Sequence, residues 1–272
     1  MISLALRILE RVPTSVSPWA DAARQRKYFR RRFAGFQQEV RRRLYPGNMK
    51  ISVLSGPFQG MRYLDEVVWG SITSKWLGSY EIELDEALTQ LAAPPVDTVI
   101  DVGCAEGYYA VGAALMNASA KVYAFDVDPF SRRQVSRMSV LNGVADRVVV
   151  GKFCSHSDLQ QLSSRGTTLV ICDIEGGEVE LLDPVKAPCL RDCDVLVEVH
   201  EASQASHEVE LLLKRRFAAT HKITTVRARS REAWIERDAP NLLETHDRDF
   251  LQAATDEHRG NGQTWLAMRS VG

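Results

Sequence analysis

"VIDVGCAEGYYA" (residues 99–110) decides how the rest of the chain is read. A β-branched run reaches an acidic residue, Asp101. A turn with Gly103 and Gly107 four apart comes next, and then an apolar stretch suited to a helix. Strand, glycyl turn, helix is the opening unit of an open α/β sheet, in which ligands bind beyond the carboxyl ends of the strands.

The pattern then repeats. Strand-like "DTVIDVG" (97–103), "AKVYAFDV" (120–127), "DRVVVGKF" (146–153), "TTLVICDIE" (167–175) and "CDVLVEVHE" (193–201) alternate with helical stretches, the last of them "SHEVELLLKRRF" (206–217). Short apolar runs between helices predict a parallel sheet covered on both faces. "KITTVRAR" (222–229) and "QTWLAMRS" (263–270) add a late antiparallel pair on the sheet edge, giving seven strands. The expected fold is a doubly wound, mostly parallel, Rossmann-like α/β sheet with a helical, basic N-terminal extension. Three regions are expected: the extension (1–45), a subdomain or lid (46–96) hinged at "AAPPVD" (92–97), and the main domain (97–272).

The turn is not a dinucleotide fingerprint. G-C-A-E-G lacks the third glycine of G-x-G-x-x-G, and Asp101 two residues before Gly103 would repel a pyrophosphate. The same carboxylate favours an ammonium or sulfonium. A second acid, Asp126 in "VYAFDVDP", ends the next strand where a ribose diol is usually gripped. Acid, turn and acid suit a nucleoside carrying a cationic amino acid, the make-up of S-adenosyl-L-methionine.

Here "VIDVGCAEG" resembles the first motif of the class I S-adenosylmethionine-dependent methyltransferases, D-x-G-x-G-x-G, with Ala105 in place of the middle glycine. That replacement requires an ordinary backbone torsion at Ala105. "LVICDIEGGEVELL" (169–182) is similar to the D-x-E-G-x-E signature of the FkbM-type methyltransferases, "VLVEVHE" (195–201) to the acidic strand that follows it, and "FDVDP" stands for their F-E-P. The resemblance covers roughly residues 97–201, with an echo in "TWLAMRS". It implies methyl transfer to a hydroxyl of a sugar, glycan or other small metabolite. It also implies that Gly103, Cys104, Ala105, Gly107 and Tyr108 line the methionine part, that Asp101 steers its amino group, and that Asp126 holds the ribose. Ser155, in the strand end Phe153–Ser155, comes to the adenine, Asp173 belongs to the cofactor side, and Tyr80 and Glu81 of "LGSYE" close over it.

A sulfonium methyl is already activated, so the enzyme mainly aligns donor and acceptor. A base would help a hydroxyl acceptor. Candidates cluster where the fourth and fifth strands end: Asp173, Glu175, Glu178, Glu198, His200 and Glu201. Strand alternation puts Glu198 and His200 on one face, and His200 has the pKa of a base. Catalytic roles are therefore expected for His200, Glu175 and Glu198. Asp173, Glu198 and His200 could bind a hard divalent cation, but their spacing does not demand it, and no metal is expected.

The net charge of −1 hides an asymmetry: residues 1–50 carry twelve Lys/Arg against three acids, leaving about −10 for the remainder. That acidic remainder disfavours nucleic acid as substrate. The basic N-terminus, with Tyr28, Phe29, Phe33 and Phe36 among its arginines, is available to a membrane surface or another subunit. Rival readings are a nucleic-acid methyltransferase, a non-catalytic S-adenosylmethionine-binding partner protein, and, third, a dehydrogenase. Five cysteines, an odd number without a C-x-x-C pair, suggest a reduced, cytoplasmic protein, and no stretch is long and apolar enough to span a membrane.

Overall fold

The computed structural model describes residues 18–272 except 67, 69, 93–95, 165, 204, 205, 260 and 261. The expected helix over residues 1–17, the break at "PTSVSP" (13–18) except Pro18, and the middle of the hinge at 92–97 lie outside the described residues.

In chain order the elements are α1 (Pro18–Leu44), α2 (Ile72–Leu77), α3 (Asp85–Leu91), β1 (Thr98–Val102), α4 (Tyr108–Met116), β2 (Lys121–Phe125), α5 (Pro129–Leu141) and β3 (Val148–Gly151). Then come α6 (His156–Leu162), β4 (Thr168–Cys172), α7 (Glu178–Leu181), β5 (Asp194–Glu198), α8 (Glu208–Phe217), β6 (His221–Arg227), α9 (Trp234–Asp238), α10 (Arg248–Thr255) and β7 (Thr264–Ser270). Seven strands form one sheet in the order β3-β2-β1-β4-β5-β7-β6. β1 to β5 are parallel, while β7 is antiparallel to both β5 and β6. The late pair therefore does more than decorate the edge. β7 inserts between β5 and β6, and its residues Trp265, Leu266 and Met268 are fully buried.

Local chemistry explains the boundaries. Asp128 caps α5 by accepting the Phe130 N–H, with Pro129 pre-set at the first helical position. Ser155 and Asp158 form a reciprocal capping box on α6. β1 and β4 are buried at every position because helices cover both faces of the sheet. Neighbouring residues of β1 point to opposite cores: Val99 joins the cluster on one face and Ile100 the cluster on the other.

The expected subdomain or lid packs on the main domain. Val53, Phe58, Trp76 and Leu88 belong to the same apolar cluster as Val99, Val111 and Trp265. Trp76 is fully buried and donates its indole N–H to the Leu64 carbonyl at 2.9 Å. The β-like pieces expected in 45–64 reduce to a single bridge, Ser52 with Arg62. Among the described residues no helix is long and apolar enough to cross a membrane.

Candidate active site

The carboxyl ends of β1, β2, β4 and β5 share one edge of the sheet, and the glycyl turn lies across it. The N–H groups of Gly103 and Cys104 both donate to the Phe125 carbonyl at the end of β2, at 2.9 and 3.1 Å. On the other side, Gly103 has φ +87°, and a Cβ there would lie 1.7 Å from the Asp173 carbonyl oxygen. Only glycine fits between the two neighbouring strand ends. Gly107 has φ +94° and admits the start of α4. Ala105 has φ +47°, a left-handed torsion, so the expectation of an ordinary torsion is corrected. The turn demands a left-handed residue there, and alanine bears a cost of about 1 kcal/mol.

Both expected cofactor acids face the turn. Asp126 accepts the Ala105 N–H at 3.0 Å and the Asp128 N–H at 2.8 Å, so it braces the turn. Burial raises its pKa to about 6 against the lowering by these two bonds. Asp101 is 2% exposed, and one of its oxygens is buried without a hydrogen-bond partner. Burial pushes its pKa up to about 7, offset in part by the Ala110 backbone and reinforced by the Asp126 charge. An orphaned carboxylate oxygen beside a backbone that only glycine allows is what the ammonium end of S-adenosylmethionine requires. Cys104 is buried, and Tyr108 packs edge-on against Phe58, Tyr63, Tyr80 and Tyr109. Ser155 uses its hydroxyl for the α6 cap, while Phe153 beside it is exposed.

The strand-end acids gather around His200. Its Nδ1–H donates to Glu178 at 2.7 Å, while Nε2 faces Glu175 at 3.4 Å, Asp173 at 3.7 Å and Glu198 at 3.9 Å. Burial alone would pull the His200 pKa down. The Glu178 bond and the Glu198, Glu175 and Asp173 charges outweigh it and hold the pKa at about 9. At neutral pH the ring is an imidazolium and donates protons rather than accepting them. Asp173 is raised to about 7, mainly by burial and the Glu81 charge, with His200 pulling the other way. Ligand atoms of Asp173, Glu175 and His200 lie within 4.8 Å of one another, close enough to share a cation. Glu201 lies apart: it accepts the Val209 and Glu210 N–H groups at the start of α8.

Residues the sequence reading missed complete the rim. Arg259 spans Glu198 with two bonds of 2.8 and 2.9 Å, and also bonds Glu81 and the Tyr80 hydroxyl. Arg231 joins Glu83 and Glu257. Glu106, inside the turn, is buried and ion-paired to the equally buried Lys75, with the Tyr63 hydroxyl donating at 2.7 Å. No motif announced these partners, because they come from loops far apart in sequence. Arg227 and Arg229, which alternate on and just beyond β6, are engaged with Glu210 and the Ile82 carbonyl.

A family model described as ribosomal protein L11 methyltransferase (PrmA) matches residues 84–190. A ribosomal protein L11 methyltransferase of Acinetobacter baumannii (strain AYE) is 34% identical over 93 residues, covering 34% of this chain and 30% of the relative. A Pyrobaculum aerophilum protein named "Probable cobalt-precorrin-6B C(15)-methyltransferase (decarboxylating)" is 39% identical over 67 residues, 24% of this chain and 34% of its own. The solved ribosomal protein L11 methylase of Lactobacillus delbrueckii subsp. bulgaricus superposes with a TM-score of 0.45 at 16% identity, over 70% of this chain and 77% of its own. The chain spans about a third of the length of the curated relatives it matches. The family match corrects the FkbM resemblance: the segment holding both the turn and "LVICDIEGGEVELL" matches the PrmA description instead. The acceptor expected from that resemblance, a small-molecule or glycan hydroxyl, falls with it, and the expectation drawn from the acidic remainder, that nucleic acid is disfavoured, is corrected too, since the family model and the 34%-identical relative are named for a protein of the ribosome. Over residues 84–190, which hold the glycyl turn and strands β1 to β4, the chain is similar to the ribosomal protein L11 methyltransferase family model.

Proposed function

We propose that this protein methylates a basic nitrogen of a protein acceptor, using S-adenosylmethionine. The supporting observation is the excess of acidic over basic side chains at and beside the strand ends. Seven carboxylates (Glu81, Glu83, Asp173, Glu175, Glu178, Glu198 and Glu257) meet three cations (His200, Arg231 and Arg259). Such a mouth attracts an amine. The L11-methyltransferase relatives, named for a ribosomal protein, point to the same acceptor class.

Bound S-adenosylmethionine supplies an electrophilic methyl on sulfur. Asp101 holds the ammonium of its amino acid, and Asp126 the ribose. Glu175, the exposed carboxylate of the cluster, meets the incoming amine first. An alkylammonium must lose a proton before its nitrogen can attack, and Asp173, held near neutrality, is matched to take it. His200, charged and anchored by Glu178, keeps these carboxylates in place and positions the site rather than acting as its base.

The test is incubation with methyl-labelled S-adenosylmethionine and separated pools of ribosomal protein, ribosomal RNA and small metabolites. Label is expected in protein, on nitrogen. Label confined to RNA or to hydroxyls of metabolites would refute the proposal.

A further inference from the structure

We propose that Cys189 and Cys193 are a redox-active thiol pair, oxidised by hydroperoxides to a reversible disulfide at the amino end of β5, remote from methyl transfer. Cys189 lies in a short 3-10 turn, Pro188–Arg191. The Leu190 N–H donates to the Ala187 carbonyl at 3.1 Å and the Asp192 N–H to the Cys189 carbonyl at 3.0 Å, which closes the turn. Cys193, four residues on, is thereby brought back over Cys189. Its Sγ–H lies 3.2 Å from the Cys189 carbonyl oxygen, and the two thiols share a hydrogen bond. From that contact, side-chain rotation is enough to bring the sulfurs to disulfide length.

The five thiols of the chain are not alike. Cys104, Cys154, Cys172 and Cys193 are buried, and Cys189 alone is partly exposed. Burial pushes the Cys104 and Cys172 thiols well up and Cys154 to about 12, so these three stay protonated and inert. At Cys189 the sign reverses. The hydrogen bond from Cys193, helped by the Ser163 hydroxyl, outweighs burial and brings its pKa down to about 7. The same bond, with burial, pushes Cys193 up. One thiol is thus accessible and substantially ionised at neutral pH, and a protonated thiol stands directly behind it. Attack and resolution need that division of labour.

The backbone on each side is held, so the sulfurs can join without rearranging the sheet. The Cys193 carbonyl accepts the His221 Nε2–H at 2.7 Å, and Asp194 accepts the Ser270 N–H at 2.9 Å. The Cys189 N–H donates to the Gln160 side chain of α6 at 3.1 Å. Glu198, at the other end of β5, is about 16 Å further along the strand.

In the first step the Cys189 thiolate attacks a peroxide oxygen. An S–O bond forms, the O–O bond breaks, and hydroxide leaves. Cys193 then attacks the sulfenic sulfur: the S–S bond forms, the S–O bond breaks, and the departing hydroxide takes the Cys193 proton to become water. The two sulfurs give up two electrons and the peroxide takes them. Two equivalents of a small thiol reverse the change by exchange, ending as their own disulfide.

The experiment uses the full chain, reduced and freed of reductant. Cleavage by trypsin after Lys186 and Arg191 places the two cysteines on separate peptides, so a bridge between them is read directly by mass. After hydrogen peroxide at pH 7 and blocking of the remaining thiols, residues 187–191 are expected joined to the peptide that begins at Asp192, and dithiothreitol is expected to part them. Before oxidation, iodoacetamide at pH 7 should label Cys189 at least about tenfold faster than any of the other four. Cys193→Ser should leave Cys189 as a sulfenic acid that dimedone captures, and Cys189→Ser should leave Cys193 unoxidised. The peptide map of the parent chain decides the matter should either variant not fold. A bridge from Cys189 to Cys154, both thiols left free by peroxide, or Cys189 labelled no faster than the buried thiols overturns the proposal.

Discussion

Gly103 and Ala105 sit two residues apart in one turn and should respond in opposite ways. Gly103→Ala drives a Cβ into the Asp173 carbonyl at a left-handed torsion, and about 3 kcal/mol or more of stability should be lost in denaturant titrations. Ala105→Gly relieves a left-handed alanine and should gain about 0.5–1 kcal/mol with S-adenosylmethionine affinity retained. Asp101 couples the site to pH. Its folded pKa, about 7, lies above the ordinary carboxylate value, so it keeps a proton that the unfolded chain has already lost. Its burial therefore favours folding at low pH, and that contribution is lost as pH rises from about 4 to about 7. Ligand binding runs the other way, because an ammonium prefers the ionised acid. Calorimetry should show affinity for S-adenosylmethionine rising about tenfold between pH 6 and 8, and Asp101→Asn should abolish that dependence while weakening binding.

At the scale of elements, the site depends on a loop clasping a strand. Arg259, just beyond α10, holds Glu198 at the end of β5 and Glu81 before α3, and both carboxylates are almost fully buried. Arg259→Met leaves two buried acids without their cation. The expected cost is about 2–4 kcal/mol at pH 8. It should shrink toward pH 5, because Glu198, raised by burial, then takes a proton; an equal loss at both pH values in thermal melts would contradict this account. His200 follows the opposite sign. Its raised pKa favours folding fully below about pH 6.5, and this contribution disappears as pH climbs through about 9.

For the whole molecule, residues 46–96 and the sheet are expected to unfold together, because one apolar cluster runs through both. Trp76→Ala, at the centre of that shared core, should cost about 3–5 kcal/mol and leave a single cooperative transition. A separate low-temperature transition would show that the two parts are independent after all.

The alternation of short apolar runs with helices settled the seven-strand fold, because strand and helix periodicities are local properties of the chain. The glycyl turn was legible for the same reason: Asp101, Gly103 and Gly107 belong to one contiguous segment. The strand-end acids were legible as a group, since they lie at or just beyond the ends of two recognisable strands. Their protonation states were not. His200 looked like a base when read alone, and its cationic character comes from four carboxylates on β5, α7 and the β4–α7 loop that only folding assembles. Arg259, Lys75 and the burial of Glu106 were equally invisible, because an ion pair between residues 31 or 61 positions apart leaves no spacing to read. Only the tertiary structure could also show Ala105 in a left-handed torsion, since the turn is forced on it by the strand ends it crosses.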